Sequence, residues 1–343
     1  MQNELKKPMN GSINVLKFIM ALFIFLVHAG AFNNDTYFQG GYIYIEWFYI
    51  FMGWTLAKAI VNLPKDEDVA LGSFKIIYKR IAKIMPYFIL SSLIALAVKL
   101  HFNQMTISSP WDINLIVHEI LMLQMTTIQV VTLTGTGWFL SSMLIALIII
   151  VPIFIKLRKG FYPIAFAVAT LIYYYIYKEI GYLYHPVEWL ITYKGNLRAI
   201  AGMSLGICGY AINPVIKNVF KNKIIASIFV ISAYLGIFYY VYKVDESVYY
   251  FIIPYIFMIL ISITMNVGGI FGDNVFTRFL GDISMVLFMN HYYIIHAIKK
   301  AMPLLDNRTG FIYATLLSFG TSILVLLTVK LLSKMHSKII KKL

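Results

Sequence analysis

The chain has 343 residues, of which 60% are hydrophobic and only 13% charged, with a formal net charge of +14 and one cysteine, Cys208. Soluble domains run at about 45–50% apolar and about 25% charged, so too few charges remain to clothe a water-facing surface. The same apolar content excludes disorder, and one cysteine excludes disulfide scaffolds and thiolate zinc clusters. A basic balance points to nucleic acid in a soluble protein. Here the basic residues punctuate long apolar runs, and the expectation is a membrane protein with no nucleic-acid partner.

A helix needs about 20 apolar residues to cross the ~30 Å hydrocarbon layer. Apolar runs predict ten spans near 13–32, 42–62, 84–100, 137–155, 161–177, 196–212, 224–242, 248–265, 283–301 and 311–332. The runs are continuous and do not alternate with period two, which argues against a barrel. The first is too long for a cleaved signal peptide and lacks a small-residue cleavage site. The fold class predicted is all-α, a polytopic bundle of about ten helices forming one membrane domain over 1–343.

Loop charges set the orientation. With the N-terminus inside, 21 of the 29 Lys and Arg gather at the cytoplasmic ends: Lys6, Lys7 and Lys17, six from Lys58 to Lys83, and clusters at 156–159, 217–223, Arg278 and 330–342. The stretches 33–41 and 101–136, assigned outside, contain none. Both termini are expected in the cytoplasm and the protein in the cell membrane. No phosphate-cradling glycine loop is present, and no metal site is expected.

Ionisable side chains in hydrocarbon are costly and mark function by default. Lys17 and His28 in the first span are eleven residues apart, which places them about 16 Å apart on one stripe. Lys17 reads either as a snorkelling anchor or as part of a site, and His28 as a packing histidine or a base. Glu46 in the second span lies at a depth close to that of His28. Beside it, a carboxylate would fix the histidine tautomer and raise its basicity; otherwise Glu46 is interfacial. Lys75, Lys79 and Lys83 share a helix face next to Arg80, suiting a polyanionic ligand, lipid headgroups or topology alone. Pro86 starts or kinks the third span.

The outer loop 101–136 carries the apolar positions Ile113, Ile116, Val117, Ile120 and Leu121, fit for an interfacial segment or a lid. Gly135 and Gly137 allow a tight turn before Trp138. Arg198 must pair with a carboxylate or a ligand. Asn290, His291 and His296 occupy the ninth span, and His291, near mid-membrane, must have a partner. Cys208 reads as packing.

Several of these segments together resemble the membrane-bound acyltransferase-3 family of bacterial O-acyltransferases. The family's Arg-x10-His appears as Lys17 and His28. Its second-span pattern is matched by Glu46, Phe48, Tyr49 and Gly53, with Met52 where Ser is usual. Arg80, Lys83, Ile84, Pro86 and Tyr87 are similar to its cytoplasmic motif, Trp138, Leu140 and Ser141 to its fourth-span entrance, and Ser284, Phe288 and His291 to a late signature. Met143 stands where the peptidoglycan-modifying branch tends to have Glu. Lysine at 17 keeps the charge but loses arginine's planar fork.

The resemblance implies transfer of an acyl group, most often acetyl from acetyl-CoA, to a hydroxyl of a cell-envelope or exopolysaccharide glycan. No tightly bound cofactor is implied, and acyl-CoA is the co-substrate. On that reading Lys75, Lys79, Arg80 and Lys83 dock the CoA phosphates with Lys17 at the mouth. His28 is the base or acyl relay, Glu46 its orienter, and His291 with Asn290 the second polar cluster. Trp138 and Arg198 meet the substrate. Partners are acyl-CoA, the glycan acceptor, the bilayer and proteins of polysaccharide synthesis. One rival is an exporter or flippase of a polysaccharide or lipid-linked sugar, without covalent chemistry; another is an amino-group acyltransferase acting on a cytosolic acceptor.

Overall fold

The computed structural model describes residues 10–32, 39–126, 132–243, 248–267, 269–302 and 306–340. Lys6, Lys7, Lys341 and Lys342, expected at the cytoplasmic face, lie outside the described residues. The regular structure is helical, with one isolated bridge between Trp189 and Tyr193. In chain order the helices are α1 (Gly11–Ala29), α2 (Tyr44–Val61), α3 (Val69–His101), α4 (Pro110–Ile120), α5 (Gly137–Leu157), α6 (Phe161–Tyr175), α7 (Lys194–Ala211), α8 (Asn213–Val219), α9 (Lys223–Lys243), α10 (Val248–Val267), α11 (Val275–Ala301) and α12 (Asn307–Ile340). Six continuous helical runs are long and apolar enough to cross a membrane, or seven if α7 and α8, bent by 55°, are taken together. The protein is an all-helical, multi-pass membrane protein.

Local chemistry accounts for several helix starts. Asn10, Asp68 and Asn274 each accept a hydrogen bond from an amide in the first turn of α1, α3 and α11, satisfying donors that otherwise lack partners. Asp112 accepts from the Ser109 amide at the head of α4. The third predicted span begins earlier than expected, because α3 starts at Val69 and runs through Pro86 for 33 residues. At 1.5 Å per residue it is about 50 Å long, more than hydrocarbon requires. Its first turns, bearing Lys75 and Lys79, stand exposed.

Glycine sets the closest approach in the bundle. A Cβ added to Gly53 of α2 would strike the Met203 carbonyl, and one on Gly206 of α7 would strike the Ile50 carbonyl. These small residues let α2 and α7 touch backbone to backbone, the usual route to tight packing in membranes. The α5–α6 run reverses at Arg158, where φ is 52°. An added Cβ on Gly195 at the start of α7 would meet Ser142 and Trp138 of α5, whereas Cys208 near its end donates to the Tyr162 carbonyl of α6. α5 therefore runs along α7 and α6 runs back against it.

α2 and α11 are not among the six apolar runs. Most of α2 is buried, as is the inner face of α11, so protein rather than lipid surrounds them. These helices, with α7, carry Glu46, Arg198, Asn290 and His291.

Candidate functional site

α1 and α11 run side by side in parallel, and each brings a histidine to their contact. The rings of His28 and His291 lie 5.2 Å apart between centroids. His291 is fully buried, and its Nδ1 donates to the Leu287 carbonyl at 3.0 Å. A carbonyl only accepts, so Nδ1 carries the proton and Nε2 presents a lone pair. That Nε2 is buried without a hydrogen-bond partner. His28 is half-buried and makes no hydrogen bond among the described residues. Its ring touches Tyr42 at 5.9 Å and Tyr292 at 5.0 Å, and Tyr292 in turn touches His296 at 4.3 Å.

Glu46 does not sit on His28, contrary to the sequence expectation. Its carboxylate takes Arg198 Nε on one oxygen and the Tyr173 hydroxyl on the other. Arg198 donates from Nη1 to the Leu183 carbonyl at 2.8 Å and from Nη2 to the Tyr42 carbonyl at 3.0 Å. Both partners of the pair are fully buried. A guanidinium this deeply buried and held by three partners is built into the bundle as the counter-charge of Glu46. Trp138 is packed 5.6 Å from that guanidinium and is 8% exposed, which makes it part of the same closed assembly. The assembly still bears on the site, because it fixes the backbone of Tyr42, whose ring abuts His28.

Asn290 also departs from expectation. It follows Met289 on the face turned to α12, where it accepts from the Tyr293 hydroxyl at 2.9 Å and approaches Ser322 at 3.5 Å. One residue of helix is a 100° turn, enough to take it off the histidine contact. His296 lies beside Tyr292, whose ring also meets His28.

At the opposite end of α1 lies a cavity of about 540 Å³. Lys17, Lys83 and Arg278 line its mouth together with Asp273 and Asp282. Lys17 also stands 4.8 Å over the Phe51 ring. Arg278 pairs with Asp273 at 2.7 Å, and Lys330 with Asp282 at 2.7 Å. The hydrogen bonds from Arg278 hold the Asp273 carboxyl below the usual carboxylate range. Further in, the walls are apolar: Phe48, Phe51, Met52, Phe139, Leu140, Met143, Met285, Phe288 and Met289. Phe288 lies 5.9 Å from His291.

Of the basic stripe, only Lys83 reaches this cavity. Lys75 turns back to Glu67 at 2.9 Å, Lys79 is exposed and does not line the cavity, and Arg80 approaches Thr55 at 3.4 Å. The stripe is real as a helix face, but its members part ways: Lys75 and Lys79 are exposed, Arg80 packs beside α2, and Lys83 lines the cavity. Arg278, which the sequence gives as a positive-inside marker and, with the 266–282 loop, as the fallback donor site, lines the cavity. Tyr173 carries no sequence signal, since its partner Glu46 is 127 positions away.

The outer segment folds as the interfacial-or-lid reading allows. α4 exposes Ile113, Val117 and Leu121 on one stripe while burying Glu119. Glu119 accepts from the Thr134 amide at 3.1 Å, the Thr134 hydroxyl at 2.7 Å and Gln124 at 2.7 Å. The turn so held brings Gly135 (φ 74°) against the Tyr292 ring, where any Cβ would clash. That turn covers the histidine end of the bundle.

The bundle thus holds a histidine pair at one end of α1 and a cation-rimmed cavity at the other. Residues 10–329 match the family model described as an acyltransferase domain. The chain belongs to the acyltransferase-3 family and is a membrane acyltransferase. No curated protein and no solved structure matches it.

Proposed function

We propose that the protein is an O-acyltransferase of the cell membrane. It moves an acyl group, acetyl first among them, from cytosolic acyl-CoA to a hydroxyl of a cell-envelope or exopolysaccharide glycan. One observation carries the reading: the cavity and the half-buried His28 lie at opposite ends of α1, so donor and acceptor have separate approaches to one buried histidine pair. Lys17 and His28 are about 16 Å apart along the helix axis, a span that an extended pantetheine arm covers. Lys17, Lys83 and Arg278 receive the CoA phosphates, and the apolar walls take the arm.

His28 is the base, because it alone of the pair is partly open. The acceptor hydroxyl gives its proton to His28 as its oxygen bonds to the acyl carbon. The carbon–sulfur bond then breaks, and the proton passes to the thiolate, which leaves as the CoA thiol. His291 takes the orienting role that sequence reasoning gave Glu46, since its Nε2 lone pair is free to accept from the His28 ring. A well-placed base of this kind contributes about 10²–10⁴-fold.

Ten passes with both termini cytoplasmic fit this scheme. α1, α3, α6, α9 and α11 run one way, and α2, α5, α7, α10 and α12 the other. Supporting contacts include Phe18 with Phe319, Tyr44 with Phe238, and Phe166 with Tyr255. The lysine-rich ends gather at the cavity mouth, as the positive-inside rule expects of the cytoplasmic face.

The test is donor KM in inverted vesicles, normalised to correctly oriented protein. Lys83→Ala and Arg278→Ala should raise KM for acyl-CoA severalfold, with an effect that shrinks as salt rises. Lys79→Ala, outside the cavity, should leave it unchanged. Equal KM in all three variants would move the donor elsewhere. Loss of the whole glycan, rather than of its esters, in cells without the gene would favour export.

A further inference from the structure

The cavity does not open onto the histidine pair. At its inner end three rings from three helices meet: Phe48 of α2, Phe139 of α5 and Phe288 of α11. Their centroids are 5.0 Å apart for Phe139 and Phe288, 6.3 Å for Phe48 and Phe288, and 6.5 Å for Phe48 and Phe139. Phe139 and Phe288 are 7% and 6% exposed, so the wall is close-packed. Phe288 belongs to both sides, lining the cavity and touching His291 at 5.9 Å. Met143, Met285 and Met289 line the same end, and their flexible thioethers are adaptable neighbours for a ring that must shift.

We propose that Phe288, backed by Phe48 and Phe139, is the acyl-size selector of the donor site. The inference rests on the reading that acyl-CoA occupies the cavity. A thioester carbonyl approaching the histidines from the cavity must bring its acyl tail into the volume that these rings bound. Each added methylene then displaces phenyl contacts or finds no room, so short acyl groups are preferred. The wall also separates the cytoplasmic cavity from the acceptor end, which keeps water from the thioester until the ring yields. The relevant side reaction is balanced: water adds to the acyl carbon, the carbon–sulfur bond breaks, and free carboxylate, CoA thiol and a proton result.

The experiment uses the full chain in native membrane vesicles with acetyl-, butyryl- and hexanoyl-CoA, following both release of CoA thiol and displacement of labelled acetyl-CoA. Selectivity is taken as the ratio of kcat/KM between donors on the same preparation, so the amount of folded protein cancels. Phe288→Ala should shift the ratio toward the longer donors by roughly fourfold per methylene accommodated, the worth of one buried methylene. It should also raise thiol release that yields free carboxylate rather than glycan ester. Phe288→Leu, which keeps most of the packing, should shift selectivity in the same direction by less. Phe288→Trp should narrow the range. An unchanged selectivity ratio and unchanged displacement order in both Phe288→Ala and Phe288→Leu would overturn the selector. Wild-type vesicles that neither bind nor consume any acyl-CoA would instead overturn the function on which it rests.

Discussion

Glu46→Gln separates two accounts of the same residue. If Glu46 oriented His28, the substitution would lower activity per folded molecule and leave the fold alone. The structure places its carboxylate between Arg198 and the Tyr173 hydroxyl instead, with both charges fully buried. Glutamine fills the same space and offers one acceptor, but it leaves the guanidinium without a counter-charge. Breaking one side of a buried pair costs ~3–5 kcal/mol, because the remaining charge stays desolvated. Arg198 also holds the carbonyls of Leu183 and Tyr42, so its displacement loosens both the 181–193 loop and the residue against His28. The expected result is a fall in melting temperature of roughly 5–15 °C in detergent, with lower accumulation. Replacing Glu46 and Arg198 together by uncharged residues of similar volume should recover much of the loss, since no charge is then stranded. A thermal-shift series on wild type, both single variants and the double gives the coupling directly. Wild-type melting in Glu46→Gln, with reduced turnover per folded molecule, would refute the structural role and restore the base-orienting one.

The other predictions concern the two ends of α1. His28→Ala should abolish acyl transfer at normal abundance, and wild-type ester levels on the envelope glycan would rule out its role as base. His291→Ala should lower kcat by about 10–100-fold with donor KM unchanged, as expected for loss of an orienting partner; intact kcat would show that His28 works without it. Asp273→Asn should lower donor KM a few-fold at pH 7, because it frees Arg278 and removes one anion from the mouth, with the size limited by solvent screening. Arg278 lowers the Asp273 pKa, so the carboxyl stays ionised through the ordinary carboxylate range and titrates only at lower pH. This pair should therefore give donor KM no pH dependence between pH 5 and 8, and the pairing should be lost only as acid titrates Asp273. A donor KM that rises in Asp273→Asn would show that the carboxylate assists the donor.

The membrane class and the all-helical character were legible because they depend on local composition. Lys17 and His28 could be placed on one stripe from spacing alone, since both belong to one helix. What the sequence could not supply was which helices touch. Glu46 and His28 lie at similar depths, and proximity in depth suggested a pair. The α2–α7 contact, built on Gly53 and Gly206, instead delivers Arg198 to Glu46 from 152 positions away. Arg198 in an apolar helix needs a carboxylate or a ligand, and Glu46 is the carboxylate it takes. The lysine stripe divides for a different reason. Helical spacing identifies a face, but the neighbours that each turn meets decide its use: Lys75 meets Glu67, Arg80 meets Thr55, and Lys83 lines the cavity.

α2 and α11, which carry Glu46, Asn290 and His291, lie outside the six apolar runs, and that follows from the same physics. A span facing lipid must be apolar along its length, whereas one enclosed by other helices can hold charges if partners are supplied. α2 and α7 achieve this by bringing their backbones together at glycine, so that the Glu46–Arg198 pair is buried with both partners hydrogen-bonded. His291 lies in that interior with its Nδ1 bound and its Nε2 among the buried polar atoms that lack a partner. An unpartnered buried acceptor costs stability. The fold bears that cost one ring contact from His28 and one from Phe288, where acceptor and donor would meet.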